Sequence, residues 1–240
     1  MMKAYAMTNI LKADWLHKFL GGFAIGLAAA LWLLPHDARA ETIVAAPTPL
    51  LDAAPTRKLE TAVFAGGCFW GVEGVFSHVK GVHLARSGYA GGPKGKHVNY
   101  KQVSGGDTGF AEAVSVTYDP KVVSYGTLLR VFFSVIADPT QLNYQGPDHG
   151  TQYRSALFPL NDEQAKAARA YLAQLGKTKL WDDPIVTKLE PFTGFVPAEA
   201  YHQDFMEKNP RHPYIMRWDA AKLAGLKRLY PQLYTAKASR

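Results

Sequence analysis

The chemistry open to this chain starts from its single thiol. Cys68 is the only cysteine among 240 residues and stands in "GGCFWGVE", Gly66 to Glu73. A thiol attacks as its thiolate, whose free pKa of about 8.5 falls at a helix N-terminus, where unpaired N–H groups and the helix dipole favour negative charge. Gly66 and Gly67 allow backbone amides to come close to the sulfur. Gly71 and Gly74 each cost ~1 kcal/mol against alanine inside a helix, so keeping both points to close approach by another backbone or a ligand. Phe69 and Trp70 read either as core aromatics or as walls of an apolar pocket beside the thiol. An inert, buried cysteine is the plain alternative, but a lone thiol at a Gly-Gly turn into a helix favours the reactive reading.

Glu112 is the second residue with chemistry to offer. In "FAEAVSVTY" the residues Phe110, Glu112, Val114, Val116 and Tyr118 share one strand face, and Ala111, Ala113, Ser115 and Thr117 the other. The carboxyl therefore sits on the bulky apolar face, where burial raises its pKa and makes it a proton donor near neutrality. An edge position, or pairing with a buried arginine such as Arg154, explains the same pattern equally well. The loop "GPDHGTQYRS" carries Asp148, His149, Tyr153 and Arg154, which taken alone reads as solvated loop. His149 and His202 stand in no HxH, HExxH or Cys/His cluster, so no metal is expected.

These residues need elements to position them. "LETAVFAGG" reads as a strand ending in a glycine turn, followed by a helix with Val72, Val75, Phe76 and Val79 at i, i+3, i+4, i+7, stopping at Gly81. Cys68 then lies at a strand-to-helix junction. Twelve of the 21 glycines fall between Gly66 and Gly109, which predicts a tightly turning, loop-built surface. Further on come a strand over "FAEAVSVTY", a helix marked by Leu128, Val131, Phe132 and Val135, and a strand over "SALFPL". Next are a helix capped by Asn161 with Gln164 three residues on, a strand over "PIVTKLEP" and a short helix over "PAEAYHQDFMEK". Leu223, Leu226 and Tyr230 mark one more helix near the C-terminus. Strands and helices mix without strict alternation, so the fold class is α+β.

Outside this region the chain is read as appendages. Lys12 and Lys18 precede a 16-residue uncharged run, Phe19 to Leu34, followed by Pro35 and a small-x-small "ARA" ending at Ala40. That predicts a signal peptide over 1–40, or an N-terminal anchor if uncleaved, and hence export to a bacterial periplasm. "ETIVAAPTPLLDAAPTR", 41–57, reads as a proline-rich linker. The catalytic domain is placed at 58–216 and a basic C-terminal extension at 217–240. The formal charge of +7 falls to +5 once Lys3, Lys12, Lys18 and Arg39 are set against Asp14 and Asp37. No basic stripe interleaves with aromatics, so nucleic acid is not an expected partner.

Together "GGCFWGVE", "SGYAGG", "NYKQVSGGDTGFAEAVSVTYDP", "DPTQLNYQGPDHGTQYRSALFP" and "YHQDFMEKNPRHPYI" resemble the type A peptide methionine sulfoxide reductases, over about residues 59 to 215. The resemblance implies a two-layer mixed sheet with packed helices, derived from a ferredoxin-like arrangement. It implies reduction of methionine-S-sulfoxide, free or in oxidised proteins, by attack of Cys68 on the sulfoxide sulfur, leaving a sulfenic acid. Glu112 would protonate the oxygen with Tyr100 and Tyr153 as hydroxyl partners. Phe69 and Trp70 would cradle the substrate methyl group, and Asp148 would order the polar side. No bound cofactor is implied, and a monomer is expected. An external thiol would regenerate the enzyme: a thioredoxin-like protein, glutathione with glutaredoxin, or dithiothreitol in vitro. Three features depart from many relatives: no resolving cysteine near the C-terminus, Phe110 in place of a histidine, and Ala137 in place of another. A cysteine hydrolase is the rival enzyme, needing a base such as His78, His83 or His149. A binding module using the aromatic pocket alone is the non-enzymatic rival.

Overall fold

The computed structural model describes residues 43–239. The leader read over 1–40 lies outside the described residues. The first strand, β1 (Glu60–Gly66), is apolar on both faces and central in its sheet, with Ala62 and Phe64 turned to one side and Val63 and Ala65 to the other. It runs into α1 (Phe69–Ser77), with Cys68 as the N-cap residue. Then follow β2 (Val82–Ala90), a single turn α2 (Tyr100–Val103), β3 (Ala111–Tyr118) and α3 (Tyr125–Val131), which widens into a π turn over Phe132–Ile136. A small hairpin pairs β4 (Tyr144–Gln145) with β5 (Asp148–His149). A 3₁₀ turn (Thr151–Tyr153), β6 (Ser155–Phe158) and α4 (Asp162–Leu175) come next, then β7 (Lys188–Leu189), β8 (Phe195–Pro197) and α5 (Phe205–Lys208). A second π turn (Ile215–Asp219) leads into α6 (Ala220–Leu229).

The sheet order is β7-β6-β1-β3-β2-β8, antiparallel except for the parallel β6–β7 pair. The main core lies on one face, where Phe64, Val114, Val116 and Tyr118 meet the apolar sides of α1, α3, α4 and α6. The opposite face holds a smaller cluster of Val63, Ala65, Ala111, Ala113, Ala156 and Phe158. This is the α+β, two-layer mixed sheet expected. The alternation read in β3 places Val114, Val116 and Tyr118 in the first cluster and Ala111 and Ala113 in the second.

Other expectations are corrected. β2, a nine-residue strand that pairs with most of β3, occupies part of the stretch read as loop-built. "PIVTKLEP" pairs only at Lys188–Leu189, and the predicted short helix shrinks to the four residues of α5. Residues 43–57 carry neither helix nor strand, yet they are bound to the domain rather than spanning free of it. Val44 N–H donates to the Ser134 carbonyl (2.9 Å), Tyr171 Oη to the Pro47 carbonyl (2.7 Å), and Asp52 accepts from the Gly126 N–H (2.7 Å) at the start of α3. The extension past residue 216 also packs inward, with Leu226 and Tyr230 buried and Tyr234 bridged to Val79 just beyond α1.

Candidate active site

The site forms where β1 ends and α1 begins. Gly67 adopts φ +87°, a conformation that L side chains rarely take, and turns the chain so that Cys68 sits at the head of the helix. Because β1 and β3 are antiparallel with Phe64 opposite Val114, the head of α1 meets the N-terminal end of β3, where Glu112 lies. The Phe69 N–H donates to Glu112 Oε2 at 3.0 Å. One of the helix's unpaired amides is thus satisfied by a carboxyl, and that carboxyl is one residue from the thiol. Glu112 is 2% exposed. Burial pushes its pKa up to about 8, the Phe69 N–H pulls it down, and the Asp148 and Asp219 carboxylates add to the rise. Arg154, the partner weighed for it, instead bonds Glu190 through two N–H···O contacts of 2.8 Å.

The expected lowering of the Cys68 pKa is overturned. Burial raises the thiol well above its ordinary range, and Glu112, Asp219 and Asp148 raise it further, against a lowering by the Trp70 N–H. The helix end is present, but burial of the sulfur, with the acidic side chains around it, outweighs it. The two helix glycines are explained by side chains rather than by a backbone or a ligand. A β-carbon at Gly71 would overlap the Asp219 carboxylate, and one at Gly74 the Met206 sulfur.

Phe69 and Trp70 part company after the thiol. Phe69 is buried, with ring centres of His202 at 4.9 Å, Tyr89 at 5.9 Å and Tyr100 at 6.5 Å. Trp70 is half-buried and stacks on Phe205 at 3.7 Å, with the edge of Tyr214 at 5.8 Å. Its indole N–H donates to His202 Nδ1 at 3.0 Å, and burial lowers the His202 pKa, which suits a neutral acceptor. These rings pack into one aromatic cluster after the thiol, with Trp70 its half-buried member.

Asp148, on the small hairpin, accepts a short hydrogen bond from Tyr214 Oη. Tyr100 and Tyr153 have hydroxyls whose pKa is raised by burial and by the charges of Glu112, Asp148 and Cys68. All seven residues singled out from sequence therefore gather around one point. Arg154 steadies the loops that bring them there, donating also to the Gly109 and Thr151 carbonyls (3.1 and 3.0 Å). Phe110 is buried against Gly92, and Ala137 lies in the core near Gly66. The histidines weighed as bases are engaged otherwise: His78 Nδ1 meets the Gly74 carbonyl (2.8 Å), His149 stacks on Tyr144 and His83 is exposed. Among the described residues no three His, Cys, Asp or Glu side chains are grouped to hold a metal.

Sequence reasoning assigned no site role to His202, Phe205, Tyr214 or Asp219. The first three stand inside "YHQDFMEKNPRHPYI", whose density of rings was the available signal. Asp219 follows a run with no such mark, and only the fold brings it to α1.

A family model described as "Peptide methionine sulfoxide reductase" matches residues 60–231. A curated relative from Mesorhizobium japonicum, "Peptide methionine sulfoxide reductase MsrA 2", is 58% identical over 178 residues, covering 74% of this chain and 91% of its own. A Synechocystis protein of the same name is 47% identical over 196 residues, covering 80% and 91%. Among solved structures, methionine sulfoxide reductase A of Corynebacterium diphtheriae is similar with TM-score 0.55 and 32% identity, covering 75% of this chain and 92% of its own. Reduced Mxr1 from Saccharomyces cerevisiae is similar with TM-score 0.53 and 39% identity, covering 67% and 91%. The chain belongs to the peptide methionine sulfoxide reductase family.

Proposed function

We propose that the protein reduces methionine-S-sulfoxide, free or in oxidised proteins, to methionine, with Cys68 as nucleophile and Glu112 as proton donor. The observation that carries this is the 3.0 Å bond from the Phe69 N–H to Glu112, which sets a buried carboxyl beside the thiol. A sulfoxide oxygen is a weak leaving group until it is protonated, and a carboxyl with a pKa of about 8 still holds its proton at neutrality. Docking of the methyl group among Phe69, Trp70 and Phe205 would turn the sulfoxide sulfur to Cys68 and its oxygen to Glu112, Tyr100 and Tyr153. Tyr214 and Asp148 would hold the polar side. Glu112 gives its proton to the oxygen and takes up the Cys68 proton in exchange, the Cys68 sulfur is oxidised to a sulfenic acid that carries the oxygen, and the substrate sulfur is reduced to the thioether.

The chain has no second cysteine, so an external thiol must restore the first. That thiol attacks the sulfenic sulfur, releasing water and forming a mixed disulfide. A second thiol then frees Cys68 and leaves as the disulfide of the reductant. A thioredoxin-like protein, glutathione with glutaredoxin, or dithiothreitol in vitro would serve. Export of the chain to the periplasm is part of the same reading, supported by the Lys12-to-Ala40 pattern, and the exported protein would act as a monomer. Mass spectrometry of the mature N-terminus tests that part.

The test of activity is dithiothreitol-dependent turnover on the separate sulfoxide epimers. Reduction of the S epimer alone is expected. Hydrolysis of an ester or amide by Cys68, with no reduction of either sulfoxide, would replace this reading with the hydrolase.

A further inference from the structure

Asp219 closes the second π turn with no exposed surface, and Lys222, one turn on, is 3% exposed with its Nζ 3.6 Å from Asp219 Oδ1. Ionised groups are seldom placed so deep unless paired. The carboxylate occupies the notch that Gly71 leaves in the first turn of α1, three residues from Cys68. The C-terminal segment therefore brings a fixed negative charge to the helix end that would otherwise favour a thiolate. The other groups facing the sulfur are Glu112 from β3, Asp148 from β5, Tyr100 from α2, Tyr153 from the 3₁₀ turn, and Tyr214 from the segment that carries Asp219.

We propose that Asp219 is a positioning residue whose carboxylate, seated against the first turn of α1 and paired with Lys222, keeps Cys68 in the thiol form between turnovers. This rests on the reductase reading only for its purpose. A thiolate standing idle is the form that oxidants convert past the sulfenic stage. A chain with no second thiol of its own cannot trap the sulfenic acid as an internal disulfide. Holding the thiol protonated protects it until substrate arrives. The carboxylate and Gly71 are complementary in shape, so both residues are needed for the charge to sit where it does.

The experiment is alkylation of Cys68 by iodoacetamide across pH in the full chain, followed by mass spectrometry, without sulfoxide. Asp219→Asn keeps the shape and removes the charge. Its alkylation midpoint should fall by about one pH unit or more, making the reaction about tenfold faster at a fixed pH below the midpoint. Asp219→Ala removes the same charge and should shift the midpoint the same way. This second variant carries the test if Asp219→Asn does not fold. Inactivation by hydrogen peroxide should quicken in parallel. Alkylation profiles of the folded variants that superimpose on the wild type, or move to higher pH, overturn the inference. Because alkylation reads the thiol alone, a wild-type protein that fails to reduce sulfoxide would sink the proposed function and leave this result standing.

Discussion

Glu112 is a carboxyl kept neutral by its place on β3. With its pKa near 8 in the fold and about 4.3 when unfolded, the folded state holds a proton that the unfolded state has lost throughout that interval. Its contribution to stability is therefore intact below pH ~4 and declines as pH rises to about 8, by up to a few kcal/mol. Glu112→Gln removes this slope, so thermal melts should show the variant gaining on the wild type from pH 5 to pH 8 and not the reverse. The same substitution should slow single-turnover formation of methionine by ~10²–10⁴-fold, since an amide can hydrogen-bond an oxygen without protonating it. The alkaline limb of the rate profile near pH 8 should vanish with it. A single-turnover rate unchanged in Glu112→Gln removes the residue from the donor role. Alternation along the strand made the burial of Glu112 legible in the sequence. The ionisation of Cys68 was not legible, because the helix end is a local feature whereas Glu112, Asp148 and Asp219 reach the thiol from three distant segments.

At the scale of elements, the loops around the site are held by Arg154. Its guanidinium binds Glu190 by two contacts and reaches the Gly109 and Thr151 carbonyls, joining the β6–β7 edge to the loop before β3 and the turn that carries Tyr153. Arg154→Ala should cost about 2 kcal/mol and lower the Tm by roughly 4–8 °C. Arg154→Lys should recover little of that, since a point charge cannot copy a planar fork. A melt of the lysine variant matching the wild type would show that the bidentate geometry is dispensable. Much of this layer was legible from spacing: β1, α1, β3 and α4 fall where periodicity and the Asn161 cap put them. β2 escaped notice because an irregularity between Val82 and Leu84 breaks its alternation and Ser87 to Ala90 are buried throughout, so no single period runs through "VHLARSGYA". β8 is three residues long and exists only by pairing with that strand.

Two segments flanking the sheet and its helices close the described domain. The extended segment 43–57 ties α3 to α4, and the C-terminal segment carries Tyr214 to Asp148 and Asp219 to Gly71. Proline content made the first look like a linker, because hydrogen bonds made by an extended backbone leave no periodic trace in sequence. Asp52→Ala should lower the Tm by ~2–4 °C through loss of its bond to the head of α3, with kcat/KM unchanged. A loss of activity without loss of stability would place the segment in the site rather than in the frame. One cysteine in the chain also makes turnover a property of the molecule and its surroundings together. The most direct test of the central claim is therefore a single turnover without reductant, read by mass spectrometry on both product and protein. The account predicts one methionine formed per enzyme, a gain of one oxygen on the Cys68 peptide that dimedone captures, and neither event in Cys68→Ser. Continued turnover with no thiol supplied, or methionine formed by Cys68→Ser at a tenth or so of the wild-type rate, would contradict it.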